Sequence, residues 1–321
     1  MKLNTIATAM VLATGLTVAG TASAAYPDKT ITMYVSYAAG GTTDVTARAL
    51  AQGLEKQLGV PVAVENKGGG GGTVSATLLA NQKPDGYTLM VTSSGVVAVR
   101  PIMMKVAYKP TDFTLLMKFS DYEGALVVRK DAPWQTIDEF TAYAEKNPGM
   151  TYASSGPHTQ QQIGVETYAQ CKNLSFKHVP QKGGSGSNTQ LMGGHVDFIA
   201  GSGSHLPFVQ QGEFRELLVF HKDARDPTKP DIPVMSDIGC PPNNPALGMM
   251  VVAPLGLPPE VAKTLEEALK KASEEESFQN LLKKYNLPYS YKGAAQLAAD
   301  LPKEAEWYQE YLSKQGVTIK N

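Results

Sequence analysis

Several stretches of this chain place hydroxyls and glycines where apolar runs stop, a combination suited to holding an anion. Ala38-Ala39-Gly40-Gly41-Thr42-Thr43 follows "MYVSY", Ser93-Ser94-Gly95 follows "TLMVT", and Ser154-Ser155-Gly156 follows "MTYA". Gly201-Ser202-Gly203-Ser204 follows "VDFIA", and Gly183 to Asn188 close one more run. Small residues let an anion approach backbone N–H groups closely, and glycine permits the tight path. Each charge-assisted hydrogen bond contributes about 1.5–3 kcal/mol, so several converging ones hold a small acid firmly. These donors read as having no Lys or Arg beside them, which suits a carboxylate gripped by directional hydrogen bonds. Taken singly, the first stretch reads better as a plain strand-to-helix turn capped by Thr42 or Thr43. Its recurrence at other strand ends favours the anion. On that reading Gly40→Val blocks the site, and Asp44 is structural, offsetting the helix dipole.

Other chemistries fit less well. "GSGSH" lacks the second glycine of a nucleophile elbow, and the five-glycine run at 68–72 is followed by neither Lys-Ser nor Lys-Thr, so it is no P-loop. Thr73 and Val74 end that run before it becomes a dinucleotide fingerprint. His158, His178, His195, His205 and His221 show no metal-ligand spacing. His158 and His205 follow proposed binding loops and are candidate donors to a ligand. Glu65 precedes the glycine run and Asp85 sits in a Pro-Asp-Gly turn, so neither suggests acid–base work. No metal, cofactor or catalytic residue is expected.

The elements that must position these ends alternate. "KTITMYVSY" is a strand with Ile31, Met33 and Val35 on one face. "TTDVTARALAQGLEKQLG" is an amphipathic helix carrying Val45, Ala49, Leu50, Leu54 and Leu58, stopped at Gly59. "VPVAVEN", a glycine-fed helix and "PDGYTLMVTSSG" continue the pattern, and the middle of the chain repeats it. Strands separated by helices imply βαβ units, parallel pairing and an α/β fold. In such sheets ligands lie outside the carboxyl ends of the strands. "GALVVRKDAP" and "LGMMVVAPLG" read as strands crossing between two lobes, one of residues 26–127 plus 249–321 and one of 128–248. The C-terminal third reads as helical, with Trp307, Tyr308 and Leu312 packing.

Residues 1–24 read as a cleaved export signal ending at Ala22-Ser23-Ala24. With Lys2 gone, 28 basic residues face 30 acidic ones, which excludes the basic surplus of a nucleic-acid binder. Cys171 and Cys240 are either a disulfide, as export allows, or two small hydrophobes.

The order of these motifs resembles the periplasmic substrate-binding proteins of the tripartite tricarboxylate transporter family, the Bug-type receptors. "YPDKTITMYVSYAAGGTTDVTARALAQGL", "VPVAVENKGGGGGTVSATLLANQKPDGYTLM", "KNPGMTYASSGPHTQ", "FKHVPQKGGSGSNTQLMGGHVDF" and "VVAPLGLPPEVAKTLEEAL" carry the likeness over essentially the whole mature chain. It implies a two-lobed type 2 periplasmic binding fold, a monomer that closes on an organic carboxylate and delivers it to a membrane transporter. A sensory receptor serving a sensor kinase and an exported hydrolase are the competing readings. The resemblance puts one carboxylate in the loop Tyr37–Thr43, helped by ordered water. The ligand's far end then meets Ser93–Gly95, Ser154–Thr159, Lys182–Asn188 (Gly183 among them) and Ser202–His205. Tyr37 either covers the ligand's apolar part or joins the core. Gln181 stands where the family usually has an aromatic, and "GPHTQQQIG" and "GGSGSN" are unusually polar. These departures point to a hydroxylated or multiply charged ligand.

Overall fold

The computed structural model describes residues 26–122, 124–220, 229–241 and 247–314. The export signal and His221 lie outside the described residues. In chain order the first block is β1 (Ile31–Val35), α1 (Thr42–Leu58), β2 (Val62–Asn66), α2 (Thr73–Ala80), β3 (Thr88–Ser93), α3 (Ser94–Ala98), α4 (Arg100–Met103) and β4 (Phe113–Asp121). The second is β5 (Ala125–Arg129), α5 (Ile137–Lys146), β6 (Met150–Ser154), α6 (Gln160–Cys171), β7 (Phe176–Pro180), α7 (Gly184–Met192), β8 (Phe198–Gly201), α8 (Leu206–Gln210) and β9 (Phe214–Val219). The chain closes with β10 (Gly248–Pro254), α9 (Pro259–Glu274), α10 (Glu276–Lys284), β11 (Tyr289–Gly293) and α11 (Ala294–Lys314).

These strands form two mixed sheets, ordered β11-β4-β10-β3-β1-β2 and β7-β6-β8-β5-β9. Both follow one plan. The strand next to one edge, β1 or β6, pairs in parallel with its two neighbours, and an antiparallel strand, β10 or β5, then joins the inner of these. The carboxyl ends of β1, β3, β6 and β8 therefore carry the small-residue loops, as a parallel α/β arrangement requires.

Local sequence explains most elements. Ile31, Met33 and Val35 are fully buried on one face of β1. Gly59 ends α1 in the left-handed conformation (φ 72°), its amide donating to the Glu55 carbonyl. The buried face of α1 is rotated from expectation. Ala47, Leu50, Ala51 and Leu54 face inward, whereas Val45, Ala49 and Leu58 are half-buried. Helix packing decides this: Gly53 meets α9 so closely that a methyl there would lie 2.7 Å from Ala272 Cβ. One core cluster joins β1 to α1, α9 and α10 through Met33, Leu50, Leu265 and Phe278. Another fills the sheet's opposite face, with Met90, Val97, Leu297 and Tyr308. Tyr308 and Leu312 are buried and Trp307 stacks on Tyr311, so the C-terminal aromatics pack as expected.

The two apolar runs read as crossings are interior strands instead. β10 lies between β3 and β4 with every residue buried, and β5 lies between β8 and β9. Burial on both faces makes both runs continuously apolar. The boundary expected after residue 127 thus falls inside β5, and the chain passes to the second sheet between β4 and β5. There the Tyr122 amide donates to the Leu247 carbonyl (3.0 Å) and the Phe220 amide to the Gly124 carbonyl (2.8 Å), so the two passages run side by side.

Candidate functional site

A small cavity of about 20 Å³ lies where the strand ends of both sheets meet. The first sheet contributes Tyr37, Gly41, Thr42, Thr43, Ser93, Arg100 and Tyr122; the second contributes Ser155, Thr159, Gln160, Gln161, Gly184 and Ser202. The space is that of a single water or so. Loops from both sheets line it.

The first turn of α1 shapes one side. Its N-cap is Gly41, which brings no side-chain cap, so neither Thr42 nor Thr43 caps the helix. Helix geometry leaves the amides of Gly41, Thr42 and Thr43 without intrahelical acceptors, and these three residues line the cavity, whereas the Asp44 amide donates to the Gly41 carbonyl (3.0 Å). Two amides expected to serve an anion are committed elsewhere. The Gly40 amide donates to Asp44 Oδ2 (2.8 Å), and the Ala38 amide donates across the gap to the Lys182 carbonyl (3.0 Å). Asp44 is structural as expected, also accepting from Asn66 and pairing with Arg48. Ala38, Ala39 and Gly40 therefore form the rim, Ala39 and Gly40 being exposed.

The hydroxyls divide in the same way. Thr42 Oγ1 donates to the Ser202 carbonyl (2.8 Å), Thr43 Oγ1 is 2.7 Å from the Tyr122 hydroxyl, and Ser155 Oγ donates to Ser202 Oγ (3.3 Å). Thr159 Oγ1 donates to the Gly156 carbonyl and caps α6. Ser93 Oγ accepts from the Gly95 amide, which occupies that expected donor. Ser94 Oγ accepts from the Gly248 amide. Ser154 Oγ contacts His178 Nε2 and donates to the Gly156 carbonyl. Ser204 Oγ accepts from Asn188. Ser94, Ser154 and Ser204 thus brace the loops and do not line the cavity.

Gly183, Gly184 and Gly156 act through close approach. A methyl on Gly183 would lie 2.9 Å from the Ala38 nitrogen, and one on Gly184 would lie 2.4 Å from Ser202 Oγ. One on Gly156 would lie 2.9 Å from Gly71 Cα, so the unexplained glycine run is a contact surface between the two halves. Lys182 is exposed and offers its carbonyl rather than its ammonium. Gln181 bonds its own strand at the Val179 carbonyl and is absent from the cavity wall.

The two candidate histidines also differ from expectation. His205 is fully buried with both ring nitrogens engaged: Nδ1 accepts from the Gly203 amide (3.2 Å), and Nε2 contacts Glu216 Oε1 at 2.8 Å. No ring atom remains for a ligand. Burial alone would raise the Glu216 carboxyl, but His205 and Lys229 outweigh it and hold that group down at about 2. His158 is half-buried outside the cavity wall, its pKa lowered by burial and by the Arg100 charge. Tyr37 packs in the core and also lines the cavity; burial raises its pKa against the pull of Arg100.

Arg100 is the residue that loop reading missed. It follows the Ser93–Gly95 loop in an otherwise apolar run, where its charge was the available signal. It corrects the expectation of a site without a cation. Among the described residues no cluster of His, Cys, Asp and Glu could hold a metal. Cys171 and Cys240 form a disulfide with Cα atoms 5.7 Å apart, remote from the cavity lining.

A sequence profile described as "Tripartite tricarboxylate transporter family receptor" matches residues 46–320. A Cupriavidus necator protein described as "UPF0065 protein in gbd 5'region" is 34% identical over 281 residues, covering 85% of this chain and 83% of that one. The periplasmic binding protein BugD superposes with a TM-score of 0.87 at 27% identity, over 92% of this chain and 100% of BugD. MatC from Rhodopseudomonas palustris, solved with bound malate, gives 0.81 at 26% identity over 89% and 99%. The fold is that of periplasmic binding proteins, and the protein is a solute-binding receptor rather than an enzyme. The chain belongs to the tripartite tricarboxylate transporter receptor family.

Proposed function

We propose that the protein captures a small organic carboxylate between its two sheets in the periplasm and delivers it to a membrane transporter of the tripartite tricarboxylate type. The observation that carries this reading is the uncapped first turn of α1, set in a small cavity against Ser155 and Ser202 of the other sheet. Backbone amides, hydroxyls and a helix terminus there replace the hydration of a carboxylate. Malate on the related MatC supports the same ligand chemistry.

A cavity of about 20 Å³ admits no organic acid. Capture therefore requires the halves to part and close again, with the paired passages at Tyr122–Leu247 and Phe220–Gly124 as the hinge. The lobes on this reading are the two sheets with their helices, and the working unit is a monomer. Native mass spectrometry of freshly purified protein, followed by calorimetry with the acid found, tests the assignment. A co-purified carboxylate that binds again supports it. Binding of uncharged solutes alone would sink it. Amino-terminal sequencing of the exported protein should begin at Ala25.

A further inference from the structure

Arg100 heads the fully buried side chains among the described residues, at 1% exposure, and it lines the cavity. Its Nη2 donates weakly to the Gly71 carbonyl (3.4 Å), while Nε and Nη1 have no hydrogen-bond partner. The titratable groups facing it are Tyr37, Tyr108, Tyr122 and Tyr308 from four different segments, and His158 from the opposite half. Burial raises all four phenols and lowers the imidazole, so every one is neutral near pH 7. No carboxylate side chain lines the cavity. An unpaired guanidinium inside a protein is costly, and a fold retains one where something else supplies the counter-charge.

The guanidinium and the first turn of α1 both line the cavity but pack against different neighbours. α1 abuts the second sheet, with a methyl on Gly41 3.7 Å from the Gly184 nitrogen and Thr42 bonded to Ser202. Arg100 abuts the glycine run and the end of β3: a methyl on Gly71 would lie 3.3 Å from Nε, and one on Gly95 3.6 Å from Nη1. We propose that Arg100 is the charged anchor of the site, pairing with one carboxylate of the ligand while the first turn of α1 seats another, so that the ligand is a compact diacid. This rests on the receptor reading above and narrows it. The planar guanidinium offers a fork that matches a carboxylate, and the neutral phenols leave its charge unscreened until the ligand arrives.

Calorimetry with succinate, malate, glutarate and adipate, each beside its half-amide, tests the inference on the intact protein. The half-amide keeps one carboxylate and the shape but removes the second charge. Wild-type protein should bind at least one diacid roughly 30-fold or more tighter than its half-amide, the loss expected when one partner of a buried pair is removed. Arg100→Gln should bind diacid and half-amide alike, and Arg100→Lys should keep the preference at lower affinity. Wild-type protein that binds a diacid and its half-amide equally, or an R100Q variant that keeps the preference, overturns the role of Arg100 while leaving a carboxylate receptor intact. Binding of no acid, mono- or dibasic, would overturn the receptor reading and this inference with it. The wild-type comparison needs no variant to fold.

Discussion

The amide of Ala38 donates to the carbonyl of Lys182 at 3.0 Å, joining the loop after β1 to the loop after β7 across the cleft. Ser185 Oγ adds a bond to the Ala39 carbonyl (2.8 Å), and Thr42 Oγ1 reaches the Ser202 carbonyl. The same loop thus serves as latch and as cavity wall. On the proposed reading, closing the protein and enclosing its ligand are one event.

Thr42→Val removes one latch and leaves the Ser202 carbonyl without that donor. The closed form should lose about 1–3 kcal/mol relative to the open one. Small-angle scattering should show a larger radius of gyration, and affinity for the acid should fall. Unchanged scattering together with unchanged affinity would refute the latch.

Gly40→Val and Gly41→Val should separate the rim from the wall. Gly40 has φ 77°, and a methyl there meets nothing nearer than Ser185 Cβ at 3.7 Å. Its cost is therefore backbone strain of about 1–2 kcal/mol, read as a lower Tm, and not the blocked site that its place in the loop suggests. Gly41 has an ordinary φ of −81° and lines the cavity; its added methyl meets ordinary contacts, 3.4 Å from the Ala38 carbonyl oxygen and 3.7 Å from the Gly184 nitrogen, so a valine there takes up cavity space without backbone strain. Gly41→Val should lower affinity tenfold or more with little change in Tm. Calorimetry and thermal melts on both variants decide.

Glu216 should make the second half sensitive to acid. Its carboxyl is held at about 2, below the ordinary carboxylate value of about 4.5. Its stabilisation is fully present above pH 4.5 and is lost as pH falls through 2. By linkage the contribution is about 3 kcal/mol at neutral pH. Glu216→Gln should therefore melt lower at pH 7, and its deficit should shrink between pH 4.5 and 2. A deficit that does not change with pH would assign Glu216 a packing role.

Reduction of Cys171–Cys240 should destabilise without altering binding. The bridge spans a sequence separation of 69, for which loop-closure entropy gives about 4 kcal/mol. Melts with and without a reductant should show the loss. Calorimetry on the reduced, still-folded protein should return the oxidised affinity.

Much of this protein was legible in the order of its residues. Alternating strands and helices require a parallel α/β plan, and parallel sheets carry their loops at strand ends, so Gly41 to Thr43, Ser155 and Ser202 could be placed near a ligand before any coordinates. Periodicity and turn chemistry act over a few residues, which is why they were readable. Tertiary structure decided the rest. Whether Ala38's amide faces a ligand or Lys182, whether His205 turns to the cleft or to Glu216, and which way α1 rotates against Ala272 all depend on atoms distant in sequence. Arg100 shows the difference most sharply. Its letter is one cation among 29, and only the fold surrounds it with neutral phenols and leaves two of its nitrogens without partners.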